Sequence, residues 1–157
     1  MENRRQYLSE LIFTRNAHQR IRIAQCGVAA LFSLASLLNT HYLVWAGLAP
    51  LEPVAWLNAT MVAGFAIFFG IIRSGVNLRF ADPSLTVPQM LFAIVCCATA
   101  YALTGAGRGG AFQALMLIFM FGMYALQPVS MRWISLFAVV VFGATMALMA
   151  KTSPERL

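Results

Sequence analysis

Five apolar runs dominate this chain: residues 23–38, which extend towards Trp45, and then 54–72, 87–103, 111–126 and 131–150. A soluble helix keeps a polar face for water, and these runs have none. Runs of about 20 residues match the length an α-helix needs to cross the hydrocarbon of a bilayer. In lipid every backbone N–H and C=O must be satisfied within the segment, which leaves helices as the structure available to isolated runs. Composition agrees: charged residues make up 10% of the 157 positions, where soluble domains carry about 25%. The expected fold class is all-α. It is a polytopic membrane helical bundle of five transmembrane helices over residues 23–157, preceded by an N-terminal amphipathic segment over residues 1–22. No soluble domain, linker or internal repeat is visible.

The breaks between runs carry the usual punctuation. Pro50 and Pro53 end one helix and start another. Pro88 suits a first helical turn, where its missing N–H costs little. Residues 104–110, Thr-Gly-Ala-Gly-Arg-Gly-Gly, read as a tight connector, and Gln127-Pro128 closes the fourth run. Tyr42, Trp45 and Trp56 gather around the first connection as an interfacial aromatic belt would.

Charge sets the orientation and the expected partners. A net charge of +6 in a soluble protein would suggest nucleic acid. Here five of the eleven basic residues lie in the first 22 positions, so anionic membrane lipid is the expected partner and no nucleic acid is. Residues 1–22 read either as a short helix on the inner leaflet, with Tyr7, Leu8, Leu11, Ile12 and Phe13 as its stripe, or as a partly ordered cytoplasmic tail. With the N-terminus inside, eight basic residues face the cytoplasm and Arg108, Lys151 and Arg156 face out, as the positive-inside rule prefers. Localisation in a bacterial inner membrane, with a cytoplasmic N-terminus, follows as the expectation.

Chemistry-bearing residues are sparse. No acidic residue lies within an apolar run, and ion-coupled pumps place ionisable groups at that depth. His18 and His41 fall on opposite sides of the membrane in this orientation, so they share no metal. No phosphate-binding glycine loop or other cofactor motif occurs, so neither a cofactor nor a metal is expected. Cys26, Cys96 and Cys97 read as small packing residues. His41, Asn58, Tyr101 and Gln113 are candidate polar anchors, either for helix-to-helix hydrogen bonds or for a buried pocket holding an apolar or amphipathic ligand. Small residues suggest two helix-contact faces, Ala59, Ala63, Ala66 and Gly70 in the second run and Gly143, Ala144 and Ala147 in the fifth. Either could serve packing within one chain or between two copies.

The most informative stretch is polar: Arg73-Ser74-Gly75-Val76-Asn77-Leu78-Arg79-Phe80-Ala81-Asp82-Pro83-Ser84-Leu85-Thr86, with Pro88-Gln89-Met90 following. Asp82-Pro83-Ser84 should form a turn, and Arg73 and Arg79 should pair with Asp82 or with lipid phosphates. Together with Tyr101-Ala102-Leu103-Thr104-Gly105 and Phe121-Gly122-Met123, the stretch resembles the membrane sensor region of a proteobacterial family of GGDEF-type diguanylate cyclases. The resemblance implies a sensor bundle that regulates a cytoplasmic cyclase making cyclic di-GMP. It also implies a homodimer, an unknown small-molecule or lipid-like signal, and a signalling loop containing Arg73, Asn77, Arg79 and Asp82. The family has a sixth membrane helix before its catalytic domain. This chain stops where that helix would begin and has no GGDEF motif, so a truncated or naturally shortened sensor region is expected, without enzymatic activity of its own. The alternative is a stand-alone small membrane protein, such as a transporter subunit or an assembly factor.

Overall fold

The computed structural model describes residues 17–80 and 82–152; for residues 17–20 and Ala106 it describes the backbone alone. Most of the N-terminal amphipathic segment therefore lies outside the described residues. Five α-helices follow in order: α1 Ala17–Trp45, α2 Leu51–Ser74, α3 Thr86–Leu103, α4 Gly109–Ala125 and α5 Pro128–Thr152. Short 3-10 turns, Val76–Arg79 and Gly105–Gly107, sit in two of the connections. The bundle is all-helical, with no strand among the described residues.

The helices start and stop where local chemistry requires. Pro50, extended, precedes α2, and Pro128 is the first residue of α5, where a proline lacks no bond. Gly75 closes α2 at φ 78°, a left-handed conformation that suits glycine. Four helices are long and apolar enough to cross a membrane, and this is a membrane protein. The fourth helix, α4, is apolar but shorter than the other four. Its 17 residues give about 25 Å of helix against roughly 30 Å of hydrocarbon, because the glycine connector and Gln127-Pro128 clip both ends.

One helix organises the rest. α3 packs against α2, α4 and α5, while α1 leans on α2 and more lightly on α4. Of the four helices long enough to span a membrane, α3 is the most deeply buried and α1 the least. The main core joins Met90, Ile94 and Ala98 of α3 to Ile134, Ala138 and Phe142 of α5. The outer surfaces carry large exposed apolar side chains, with Trp45 and Trp56 at one end of the bundle and Trp133 at the other. That inversion of the soluble pattern suits a hydrocarbon solvent.

Close approach depends on glycines other than those the sequence suggested. A Cβ on Gly64 of α2 would overlap the ring of Phe92 of α3, which is itself set edge-on to Phe65 and Phe68. A Cβ on Gly122 of α4 would lie 2.7 Å from Met90 Sδ and 2.8 Å from Met131 Sδ. By contrast Ala59, Ala63, Ala66 and Gly70 are exposed, as are Gly143, Ala144 and Ala147. These two faces are not used for packing within the chain. Gly64 lies about 100° further round α2 than Ala63, on the side that meets α3.

The up-and-down path gives the bundle two ends. At one, residues of the 104–110 connector meet α1 and the turn after it: Gly107 faces Leu43, and Gly110 faces Asn39. Lys151, nine residues beyond Phe142, points towards this end. At the other, Leu85 packs with Ile23, Cys26 and Ile72, and Arg73, Arg79 and Arg132 are exposed.

Candidate functional site

A groove of about 290 Å³ is framed by α1, α2, α3 and α4. It runs from Thr104 and Gly110 at one end to Gln89 and Phe121 at the other. Along α3 the 15 steps from Gln89 to Thr104 make about 22 Å. The groove exists because α1 and α4 touch only lightly, so the α3 face between them is left partly open. The walls are Phe32, Met61, Phe65, Phe92, Leu117 and other apolar side chains, with neutral polar groups from Asn39, Gln89, Thr104 and Gln113. Among the described residues no charged side chain lines it. Apolar walls with a few convergent polar groups are the usual make-up of a small-molecule site. The volume sits at the small end of the usual range of roughly 300–1,000 Å³.

At one end the groove meets the polar loop. Gln89 is buried, lines the groove, and donates from Nε2 to the Ser84 carbonyl at 3.4 Å. The loop is held by its own polar side chains. Asp82 Oδ1 accepts from the Ser84 N–H at 3.1 Å and from the Ser84 hydroxyl, and Oδ2 accepts from the Val87 N–H at 3.0 Å. The expected turn at residues 82–84 is present, and Asp82 does more than turn the chain. Val87 is the second residue of α3, so the carboxylate satisfies one of the helix's orphan N–H groups from outside the helix. The same negative charge faces the positive end of the helix dipole. Asn77 is fully buried and donates from Nδ2 to the Pro83 carbonyl.

The Asp82 carboxylate is thus taken up within its own loop, by Ser84 and by the Val87 N–H. Leu85, which precedes α3, has φ 54°, a conformation that costs a non-glycine residue energy unless its surroundings hold it there. Its buried side chain, clamped by Ile23 and Ile72, supplies that hold.

The other predicted anchors do not converge. His41 and Asn58 do meet: Asn58 Nδ2 donates to His41 Nδ1 at 3.0 Å, and buried Thr40 places its hydroxyl 3.1 Å from Asn58 Oδ1. This polar trio ties α1 to α2 beside their connection. Gln113 is exposed on the groove wall. Tyr101 does not line the groove. It is buried between α4 and α5, edge-on to Phe112 and Phe142. The guanidinium carbon of Arg108 lies 5.3 Å from the centre of the Tyr101 ring.

Two hydroxyls within the apolar runs bond inside their own helices. Thr60 and Thr99 hydroxyls donate to the carbonyls four residues earlier, the common outcome for hydroxyls inside helices. All three cysteines are buried free thiols, as a packing role requires, and Cys97 donates to the Ala111 carbonyl. Sequence reasoning missed Thr40, Gln89 and Arg108. Gln89 carried the readable signal: a polar residue one helical turn into an apolar run, directly after the loop.

The chain matches no protein-family model, no curated protein and no solved structure.

Proposed function

We propose that this chain is a signal-receiving membrane region in which an uncharged, membrane-soluble ligand occupies the groove and biases the loop at residues 75–85. The supporting observation is Gln89, which belongs to both parts: it lines the groove and holds the Ser84 carbonyl of the loop. A ligand that competes for the Gln89 amide, or pushes Gln89 aside, has a differential interaction with two loop states, and any population shift needs such a difference. The loop resemblance favours a cytoplasmic diguanylate cyclase as the output, with cyclic di-GMP as the message. The bland walls and the lack of acidic groups in the spans speak against ion-coupled transport.

Ala100 lines the groove one helical turn from Thr104, and Ala100→Phe should block that end. With the chain fused to a cytoplasmic GGDEF domain, this variant is expected to change cellular cyclic di-GMP several-fold while inserting normally. An unchanged level, with insertion confirmed, removes the groove from signalling.

The same reading places the protein in a bacterial inner membrane with its N-terminus and the loop in the cytoplasm. The basic residues support it: Arg73, Arg79 and Arg132 share one end of the bundle, while Arg108 and Lys151 lie towards the other. A reporter fused after Asp82 should be active only as a cytoplasmic reporter, and one fused after Gly107 only as a periplasmic one; the reverse pattern ends this orientation.

A homodimer fits a cyclase output, and the exposed small-residue face of α2 would suit close helix approach. Ala63→Leu should leave the melting temperature of the purified chain unchanged while abolishing crosslinked dimer. Crosslinking that survives the substitution would exclude this face.

A further inference from the structure

The polar side chains of the groove are unevenly committed. The Ser33, Ser36 and Thr104 hydroxyls donate to carbonyls four residues earlier, and the Thr40 hydroxyl lies within bonding distance of the Leu37 carbonyl and Asn58 Oδ1. At the far end Gln89 donates to the loop. Asn39 and Gln113 remain. Both line the groove, and no hydrogen bond from a described residue reaches either side-chain amide. They belong to different helices, α1 and α4, but to the same end of the groove. Asn39 Nδ2 stands 2.8 Å from where a Cβ on Gly110 would lie, and Gln113 follows Gly110 by three residues, on the same face of α4. Phe32 of α1 and Leu117 of α4 line the groove and are also exposed, so it opens between these helices towards the surrounding lipid.

We propose that the groove takes a neutral, single-chain amphiphile from the bilayer, with a carboxamide-like head between Asn39 and Gln113 and its chain directed along α3 towards Gln89. The inference rests on the signal-receiving reading and adds the ligand's chemistry and direction to it. A primary amide offers both N–H donors and a carbonyl acceptor, so two of them suit a head that donates and accepts. An ionised head would lose its water without gaining a countercharge, which is costly in an apolar site; none of the described lining residues is charged. The uneven commitment of the polar groups sets the direction. Exposed Trp45 and Trp56 mark the Asn39 end as interfacial, the depth at which amphiphile heads lie, and the apolar walls beyond it receive the chain. The far end of the chain then meets Gln89, the residue that holds the loop.

The full chain in phosphatidylcholine nanodiscs tests the proposal. The probe is dodecanamide carrying a photoreactive diazirine at the chain end, with crosslinked residues located by mass spectrometry. Crosslinks should fall at the Gln89 and Phe121 end of the groove. Unlabelled dodecanamide should displace the probe roughly tenfold better than dodecane, as two neutral hydrogen bonds would give, and dodecanesulfonate should compete no better than dodecane. Asn39→Leu and Gln113→Leu should each reduce the amide's advantage a few-fold. Equal competition by dodecanamide and dodecane, or an advantage unchanged in both variants, overturns recognition of the head and leaves the groove's part in signalling standing. Dodecanesulfonate competing as well as dodecanamide overturns the neutral head, and crosslinks confined to the Thr104 end overturn the direction. The absence of any displaceable crosslink on groove residues overturns the inference and the signal-receiving reading together. If Asn39→Leu does not fold, Gln113→Leu alone decides by the same criterion.

Discussion

Leucine in place of Gly122 is expected to destabilise the bundle by about 1–3 kcal/mol, lowering its thermal midpoint in detergent. Gly122 is buried where α4 crosses both α3 and α5, and added carbons would run into Met90 and Met131. Van der Waals packing is a main force holding helices together in lipid, where no hydrophobic drive remains between them. Separating three helices at one crossing therefore removes contacts that nothing else replaces. Gly122→Ala should cost much less, because the atoms it meets are the flexible ends of two methionines, which can rotate away. A melting curve for Gly122→Leu that overlays the wild type would show that this crossing is not the close contact described.

Alanine in place of Asp82 is expected to cost about 1–2 kcal/mol of local stability, the range for losing a helix cap. The carboxylate accepts from two backbone N–H groups and one hydroxyl, and alanine leaves all three without their acceptor. The loss should be local: faster amide exchange at Ser84 and Val87 and easier proteolysis around residues 80–86, with exchange in the α3–α5 core unchanged. Asp82→Asn keeps an acceptor but loses the charge facing the helix dipole, so it should fall between. Protection at Val87 equal to wild type in the alanine variant would rule out the capping role.

The helices were readable because their ends are written in residues with fixed backbone preferences. Proline before α2 and at the break before α5 placed those boundaries within a few residues. The tail of α1 was harder. Asn39, Thr40 and His41 weaken the apolar pattern, yet the helix continues through them to Trp45, because Asn58 on the neighbouring helix meets two of them. A partner 17 or 18 positions away leaves no mark in a local pattern. The small-residue faces were ambiguous for a related reason. Periodicity finds stripes of alanine and glycine but does not say which stripe faces another helix. Gly64 and Gly122 are set apart only by what stands opposite them, a phenylalanine ring and two methionine sulfurs.

The loop was partly readable. Asp-Pro-Ser announced a turn, while the carboxylate's reach to Val87 depends on Leu85 adopting a left-handed conformation, which sequence preference argues against. The groove had no signature at all, since its walls are ordinary apolar residues and its shape arises from how lightly α1 meets α4. Arg108 read as one outward basic residue in a glycine connector; the ring that lies beside its guanidinium belongs to Tyr101, seven residues earlier.

The central position of α3 has a consequence for how this sequence can drift. A helix that touches only lipid on most of its surface is specified by little more than its oiliness, so leucine, isoleucine, valine and phenylalanine are nearly interchangeable there. α1, α2 and α5 are largely of that kind. α3 meets three neighbours, and its residues must match particular shapes: a ring seated against a bare backbone, a sulfur in a glycine notch, a thiol against a carbonyl. The information that distinguishes this bundle from any other set of greasy helices is therefore concentrated in α3 and in the few positions that meet it, Gly64 and Gly122 among them. A randomised library of apolar substitutions would tolerate change almost everywhere else first.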